Sequence, residues 1–216
     1  KNKTKQNLHS HKFKVFSGRK VKVFLVGSSI VRRAYYNSLN RAGGSQLCLD
    51  SRGYNLYWRG QGGMTLDNLA FHVEELQKLN GTPDILFIHC GGNDIGQGGT
   101  LFEICELVKG TLRFIKESLP DTLLIWSQIL PRYNWRSEFN LDCNNIARLR
   151  VNRAAANTTL HELGGCYVTY PEISLSSPEM FLPDGVHLSD LGNNIFLNYI
   201  QGAIEKLTYM GSGIYP

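Results

Sequence analysis

The chain has 216 residues, of which 42% are hydrophobic and 19% are charged, a composition typical of one globular domain with a substantial core. The longest apolar runs, such as residues 85–88, have the length of strands and do not indicate a membrane-spanning segment. The net charge of +5 is unevenly distributed, because residues 1–49 contain eleven basic and no acidic side chains. We expect residues 1–20 to be a basic tail or linker and residues 21–216 to fold.

The basic segment has two interpretations. A cluster of positive charge attracts nucleic acid and anionic membrane surfaces, so the segment is a candidate for nonspecific contact with either. The alternative is a solvated arm that binds nothing, and the sequence does not decide between the two.

The number and spacing of the cysteines predict the cellular compartment. Their number is odd and no Cys-x-x-Cys occurs, a pattern that favours reduced thiols in a cytoplasmic (intracellular) protein. The five are Cys48, Cys90, Cys105, Cys143 and Cys166.

Predicted strands and helices alternate along the chain. A run of β-branched and aromatic residues at 21–26 predicts a buried strand, and it is followed by a Gly-Ser-Ser turn. Further strands are predicted at 55–58, 84–89, 122–126 and 166–169, with helices at 30–41, 66–79, 101–118, about 141–163 and about 190–207. Apolar strands joined by helical crossovers imply an α/β fold in which about five parallel strands lie between two helical layers.

Polar groups follow several predicted strands, at the sheet edge where open α/β proteins bind ligands. Ser29 follows the first strand, a Gly62-Gly63 turn follows the second, and Asn93 follows the third. Asp184 and His187 lie three residues apart across a glycine, in the loop before the last helix. We expect these groups to meet at one edge of the sheet.

The residue types at these positions match the needs of acyl transfer. A serine nucleophile requires a base that takes its proton and an acid that orients the base, roles that suit Ser29, His187 and Asp184. The developing oxyanion requires hydrogen-bond donors, and the Ser29 amide, a glycine amide and the Asn93 side chain are candidates. Taken singly, each signal is weak, since a serine between a strand and a helix is more often an N-cap.

Together these residues resemble a known family. The ordered blocks Gly27-Ser28-Ser29-Ile30, Gly62-Gly63, Gly91-Gly92-Asn93-Asp94 and Asp184-Gly185-Val186-His187 look like those of the SGNH, or GDSL, hydrolases. The resemblance covers about residues 21–208 and includes the platelet-activating-factor acetylhydrolases, through Leu130-Pro131-Arg132. Residues 30–34 and 58–64 also resemble the esterase domain of first-open-reading-frame proteins of LINE-type retrotransposons.

The resemblance implies a flavodoxin-like α/β/α sandwich and a serine esterase, or acetylhydrolase, within residues 21–216. It implies Ser29 as nucleophile, His187 as base and Asp184 as its partner, with Ser29, Gly63 and Asn93 forming the oxyanion hole. It implies no metal and no cofactor. The substrate is expected to be a short-chain or lipid-type ester, and neighbouring domains or the basic segment are expected to contact RNA or a membrane surface.

Two positions depart from the family pattern. Ser28 stands where an acidic residue usually precedes the serine, but it has no part in the expected chemistry. Met64 stands where an aspartate is common after the glycine turn, and this weakens the choice between Gly62 and Gly63. We assign the oxyanion hole to Gly63 because it directly precedes that position.

Alternatives to the esterase assignment come from different functional classes. The same fold is consistent with a lipid- or RNA-binding module in which hydrolysis is incidental, and the same site is consistent with a carbohydrate deacetylase. The pair His161-Glu162 begins a zinc-binding helix motif, but Gly165 occupies the position of its second histidine, so a metal site is not expected there. The oligomeric state does not follow from the sequence.

Overall fold

The computed structural model describes residues 19–137 and 140–216. Most of the predicted basic segment therefore lies outside the described residues, and only its last two positions lie within them. One of these, Arg19, is exposed and donates to both carboxylate oxygens of Asp84 over 2.8 and 2.7 Å.

Within the described residues, six strands form one sheet in which every neighbouring pair is parallel. In chain order they are β1 (Val21–Gly27), β2 (Tyr54–Gly60), β3 (Ile85–His89), β4 (Leu123–Ser127), β5 (Cys166–Val168) and β6 (Gly213–Tyr215). Their order across the sheet is β2-β1-β3-β4-β5-β6. The central strands β3 and β4 are buried along their whole length, which explains their continuous apolar sequences.

In the described part of the chain, five α-helices cover the two faces of the sheet. They are α1 (Ser29–Ser38), α2 (Leu66–Asn80), α3 (Leu101–Ser118), α4 (Leu141–Asn157) and α5 (Asp190–Met210). Helices α1 and α5 pack on one face, and α2, α3 and α4 pack on the other. The predicted three-layer α/β/α fold is thus confirmed. None of the helices in the described ranges has the length and apolarity needed to cross a bilayer.

The structure differs from the prediction at the carboxyl-terminal end. The expected five strands omit β6, which has only three residues, begins with a glycine and is defined by pairing with β5. Helix α4 ends earlier than expected, because Thr158–Glu162 continues as a wider π-helical turn. These features depend on tertiary contacts that local periodicity does not report.

The sheet order determines where the loops meet. Strand β1 lies between β2 and β3, with Gly27 in register with Gly60 on one side and His89 on the other. A Cβ on Gly27 would lie 2.3 Å from the His89 carbonyl oxygen and 2.6 Å from Val31. Glycine is therefore required for α1 to begin directly at the end of β1. Because the three strands are parallel neighbours, the loops after β1, β2 and β3 leave the same edge of the sheet.

Candidate active site

Ser29 is the first residue of α1, at the carboxyl end of β1. The preceding residue, Ser28, is the helix N-cap and is buried, and its amide donates to the His89 carbonyl oxygen over 3.2 Å. Ser29 is partly exposed, and its Oγ lies 2.9 Å from Nε2 of His187. The tight turn thus buries one serine and presents the next one to a histidine 158 residues further along the chain.

His187 is held by the loop that precedes α5. Its Nδ1 lies 2.7 Å from Oδ2 of Asp184, and Oδ1 of the same carboxylate accepts from the backbone amides of Val186 and His187, each over 2.9 Å. Gly185, between them, has a φ of +67°, and a Cβ there would lie 2.9 Å from Tyr133. The glycine therefore permits a tight loop that brings the carboxylate back onto the ring.

Hydrogen bonding lowers the pKa of the Asp184 carboxyl group. Partial burial tends to raise the pKa of this carboxyl, but donation from the backbone and ring of His187 and from the Val186 amide outweighs burial and lowers the pKa to about 2. An ionised Asp184 can only accept a hydrogen bond, so we assign the ring proton of His187 to Nδ1. This tautomer leaves Nε2 of His187 as the acceptor for the Ser29 hydroxyl. The three side chains thus form a chain in which a proton can move from Oγ to Nε2.

Ser29 and His187 lie in a polar cleft of about 600 Å³. Basic and amide side chains predominate in the rest of its wall, with one carboxylate among them. These residues are Arg32, Arg33, Asn37, Asn40, Asn193 and Asp190.

Gly63 and Asn93 line a second cleft, of about 540 Å³. Gly63 has a φ of +75° and faces open space, whereas Gly62 does not line this cleft. The Asn93 Nδ2 donates to the Met64 carbonyl oxygen over 2.9 Å, which joins the loop after β3 to the loop after β2. The two predicted oxyanion-hole loops are therefore in direct contact.

Two charged residues beside Asn93 were not predicted as site residues. Asp94 is buried, and its two carboxylate oxygens accept from the Leu66 amide at the start of α2, over 3.0 and 3.3 Å. Burial raises the pKa of Asp94 to about 6. Arg132 is also buried, and its guanidinium donates to the Asn93 Oδ1. The sequence signal for Arg132 is a cation directly after the apolar residues 129–131.

Side chains suited to a metal or a redox centre are dispersed. In residues 19–137 and 140–216, no three His, Cys, Asp or Glu side chains are grouped to hold a metal ion. All five cysteines are free thiols, and burial raises the pKa of Cys166 to about 12. The expectation of a site without a metal or a cofactor rests on the family resemblance.

Comparison with known proteins gives one sequence-level match and several structural ones. The GDSL-like lipase/acylhydrolase family model matches residues 25–195, well over half of the chain. No curated protein is significantly similar to the chain in sequence.

Three solved structures share the fold at low identity. A GDSL-like lipase from Bacteroides thetaiotaomicron is 19% identical, with a TM-score of 0.65 over 86% of this chain and 88% of its own. A candidate acylhydrolase from Bacteroides fragilis is 21% identical, with a TM-score of 0.64 over 96% and 100%. A candidate platelet activating factor protein from Streptococcus pneumonia is 20% identical, with a TM-score of 0.62 over 88% and 86%.

Proposed function

Since this chain belongs to the GDSL-like lipase/acylhydrolase family, we propose that it hydrolyses carboxylic esters through an acyl-enzyme on Ser29. The observation that carries the proposal is the continuous chain of hydrogen bonds from Ser29 through His187 to Asp184, with heavy-atom distances of 2.9 and 2.7 Å. These hydrogen bonds join a nucleophile, a base and an orienting acid at the edge of a parallel sheet.

Acylation begins with the Ser29 hydroxyl. Oγ attacks the ester carbonyl carbon while Nε2 of His187 accepts the hydroxyl proton, and ionised Asp184 stabilises the resulting imidazolium. The carbonyl oxygen becomes an oxyanion that accepts from the amides of Ser29 and Gly63 and from Nδ2 of Asn93. The Ser29 amide is suited to this role because the first amides of a helix have no partner within the helix.

Collapse of the tetrahedral intermediate completes the cycle. The bond from the carbonyl carbon to the alcohol oxygen breaks, and His187 gives its proton to the leaving alcohol. Water then attacks the acyl-enzyme, with His187 as base, and releases the carboxylic acid and free Ser29. Protons and electron pairs balance without a metal or a redox partner.

The substrate and the cellular setting form a narrower part of the proposal. We expect short-chain or lipid-type esters, and a place as one domain of a retrotransposon-encoded protein that engages RNA or a membrane surface elsewhere. Two features support that setting. Residues 30–34 and 58–64 resemble the esterase domain of LINE-type first-open-reading-frame proteins, and the amino-terminal segment is basic. A chain without residues 1–18 retains the ion pair of Arg19, so comparing its salt-dependent RNA and anionic-liposome binding with the full chain tests this part.

The decisive experiment replaces Ser29 with alanine. Loss of the nucleophile is expected to lower the rate of p-nitrophenyl acetate hydrolysis by at least about 10³-fold, while the fold is retained. Ser28→Ala is the matched control, because the Ser28 side chain makes no cap hydrogen bond and lies one residue away. Undiminished hydrolysis by Ser29→Ala contradicts the proposal.

Ester hydrolysis and binding, measured side by side, separate the alternatives. A folded chain that hydrolyses no ester but binds liposomes or RNA is a binding module. Hydrolysis confined to acetylated sugars identifies a carbohydrate deacetylase, and a panel of acyl chain lengths defines the acyl group.

A further inference from the structure

The surroundings of Arg132 are unusual for an arginine. Only 8% of the residue is exposed, and its guanidinium lies against Gly92, where a Cβ would be 2.5 Å from Nη2. The guanidinium carbon is 5.2 Å from the centre of the Trp135 ring, and the Trp135 indole donates to the Arg132 carbonyl oxygen over 3.0 Å. The side chain is thus enclosed between two loops at the edge that carries the candidate active site.

A buried guanidinium is costly unless its charge is compensated. In the described part of the chain, no carboxylate lies within ion-pair distance of Arg132. Burial, with a smaller contribution from the charge of Arg136, lowers the pKa of Arg132 to about 10, so the side chain remains charged at neutral pH. Its polar side-chain partner is Asn93, whose Oδ1 lies 3.4 Å from both Nη1 and Nη2.

The hydrogen bonds of the Asn93 amide can be counted. Oδ1 faces Arg132, and Nδ2 uses one of its two protons to reach the Met64 carbonyl oxygen. The second Nδ2 proton has no partner among the described residues. Arginine only donates, so a flipped Asn93 would place its NH₂ group against the guanidinium and its oxygen against the Met64 carbonyl oxygen. Both contacts would be repulsive.

We propose that Arg132 is a positioning residue: its guanidinium holds the Asn93 amide in the one orientation that leaves an Nδ2 proton free for the oxyanion. The inference rests on the proposed esterase function. The positive charge also polarises the amide through Oδ1, which makes the free N–H a stronger donor as negative charge develops on the substrate. Arg132 acts through Asn93 and does not itself contact the substrate.

The kinetic test is a double-mutant cycle of Arg132→Met and Asn93→Ala with p-nitrophenyl acetate. Alone, Arg132→Met is expected to lower kcat about 10- to 100-fold with little change in KM, because the donor acts in the transition state. In the Asn93→Ala background the same substitution is expected to change kcat by less than about twofold. An equal loss in both backgrounds would assign Arg132 a general structural role and overturn the inference.

A matched control separates positioning from stability. Arg148 is equally exposed, at 8%, and donates to the Ile129 carbonyl oxygen, not to Asn93. Arg148→Met is expected to lower the melting temperature as Arg132→Met does but to leave kcat of the folded protein unchanged. Arg132→Lys keeps the charge without the forked geometry, and partial recovery of kcat relative to Arg132→Met is expected.

A second readout does not depend on activity. The side-chain amide protons of Asn93, identified by their absence in Asn93→Ala, are expected to give two separate NMR signals that shift and broaden in Arg132→Met but not in Arg148→Met. Unchanged signals in Arg132→Met overturn the inference. If the wild-type protein hydrolyses no ester, the proposed function fails, and these signals alone decide whether Arg132 orients Asn93.

Discussion

The base side and the oxyanion side of the proposed active site are built in different ways. On the base side, Asp184 and His187 come from one four-residue loop and are partly open to solvent, with side-chain exposures of 44% and 21%. On the oxyanion side, Gly63 and Asn93 come from separate loops, and the charged residues behind Asn93, Asp94 and Arg132, are buried. Solvent tolerates an imperfect polar contact on the first side, whereas on the second burial makes the charges of Asp94 and Arg132 costly unless they have polar partners.

Two aspartates show what this difference means for charge. In the exposed loop, donated hydrogen bonds outweigh burial and lower the pKa of Asp184 to about 2. Beside Asn93, burial outweighs the Leu66 amide bond and raises the pKa of Asp94 to about 6. The base side therefore holds a stable anion at neutral pH, and the oxyanion side holds a carboxylate that burial disfavours.

The largest expected effect is on the base side. Asp184→Asn retains an oxygen for the backbone amides but presents an NH₂ group to Nδ1 of His187, which favours the tautomer with its proton on Nε2. That tautomer cannot accept the Ser29 proton, so kcat for p-nitrophenyl acetate is expected to fall about 10³- to 10⁴-fold. Loss of less than about tenfold would show that solvent replaces Asp184 in this half-open loop.

A somewhat smaller loss is expected on the oxyanion side. Asn93→Ala removes one of three expected donors, and kcat is expected to fall about 10²- to 10³-fold. The donor stabilises the tetrahedral intermediates of both acylation and deacylation. Stopped-flow measurement of acyl-enzyme formation checks its effect on the first of these steps directly. Gln128→Ala is a control amide outside the two clefts, and a comparable loss in that variant would remove the distinction between the two sides.

The smallest effect is on stability. The pKa of Asp94 is higher in the folded protein, at about 6, than its ordinary value of 3.8, so the folded state binds the proton more tightly. The contribution of Asp94 to stability is therefore fully present below about pH 4 and is lost as pH rises through about 6. The free energy of unfolding changes by about 2–3 kcal/mol over this range.

Asp94→Asn removes this titration and keeps an oxygen for the Leu66 amide. The free energy of unfolding of the wild type, relative to this variant, is therefore expected to fall between pH 4 and pH 7 in urea titrations. Parallel pH profiles for the two proteins would show that burial does not raise the pKa of Asp94.

Much of the fold was predictable because it depends on local signals. The apolar run before Gly27 and the helical spacing over residues 101–118 correspond to β1 and α3. The three-residue strand β6 was missed, since its pairing partner β5 lies 45 residues earlier and no periodicity marks it. Local apolar patterns thus define most strands, including the equally short β5, whereas β6 is defined by its pairing with β5.

The candidate site divides in the same way. The sequence by itself indicated Ser29 at a strand end and the Asp184–His187 spacing, because a tight turn and an i,i+3 contact are local geometry. Tertiary structure alone decided that His187 lies 2.9 Å from Ser29 and that Arg132 lies behind Asn93. Such contacts join segments 158 and 39 residues apart. They arise only when packing of the two apolar faces fixes the order of the strands and, with it, which loops meet.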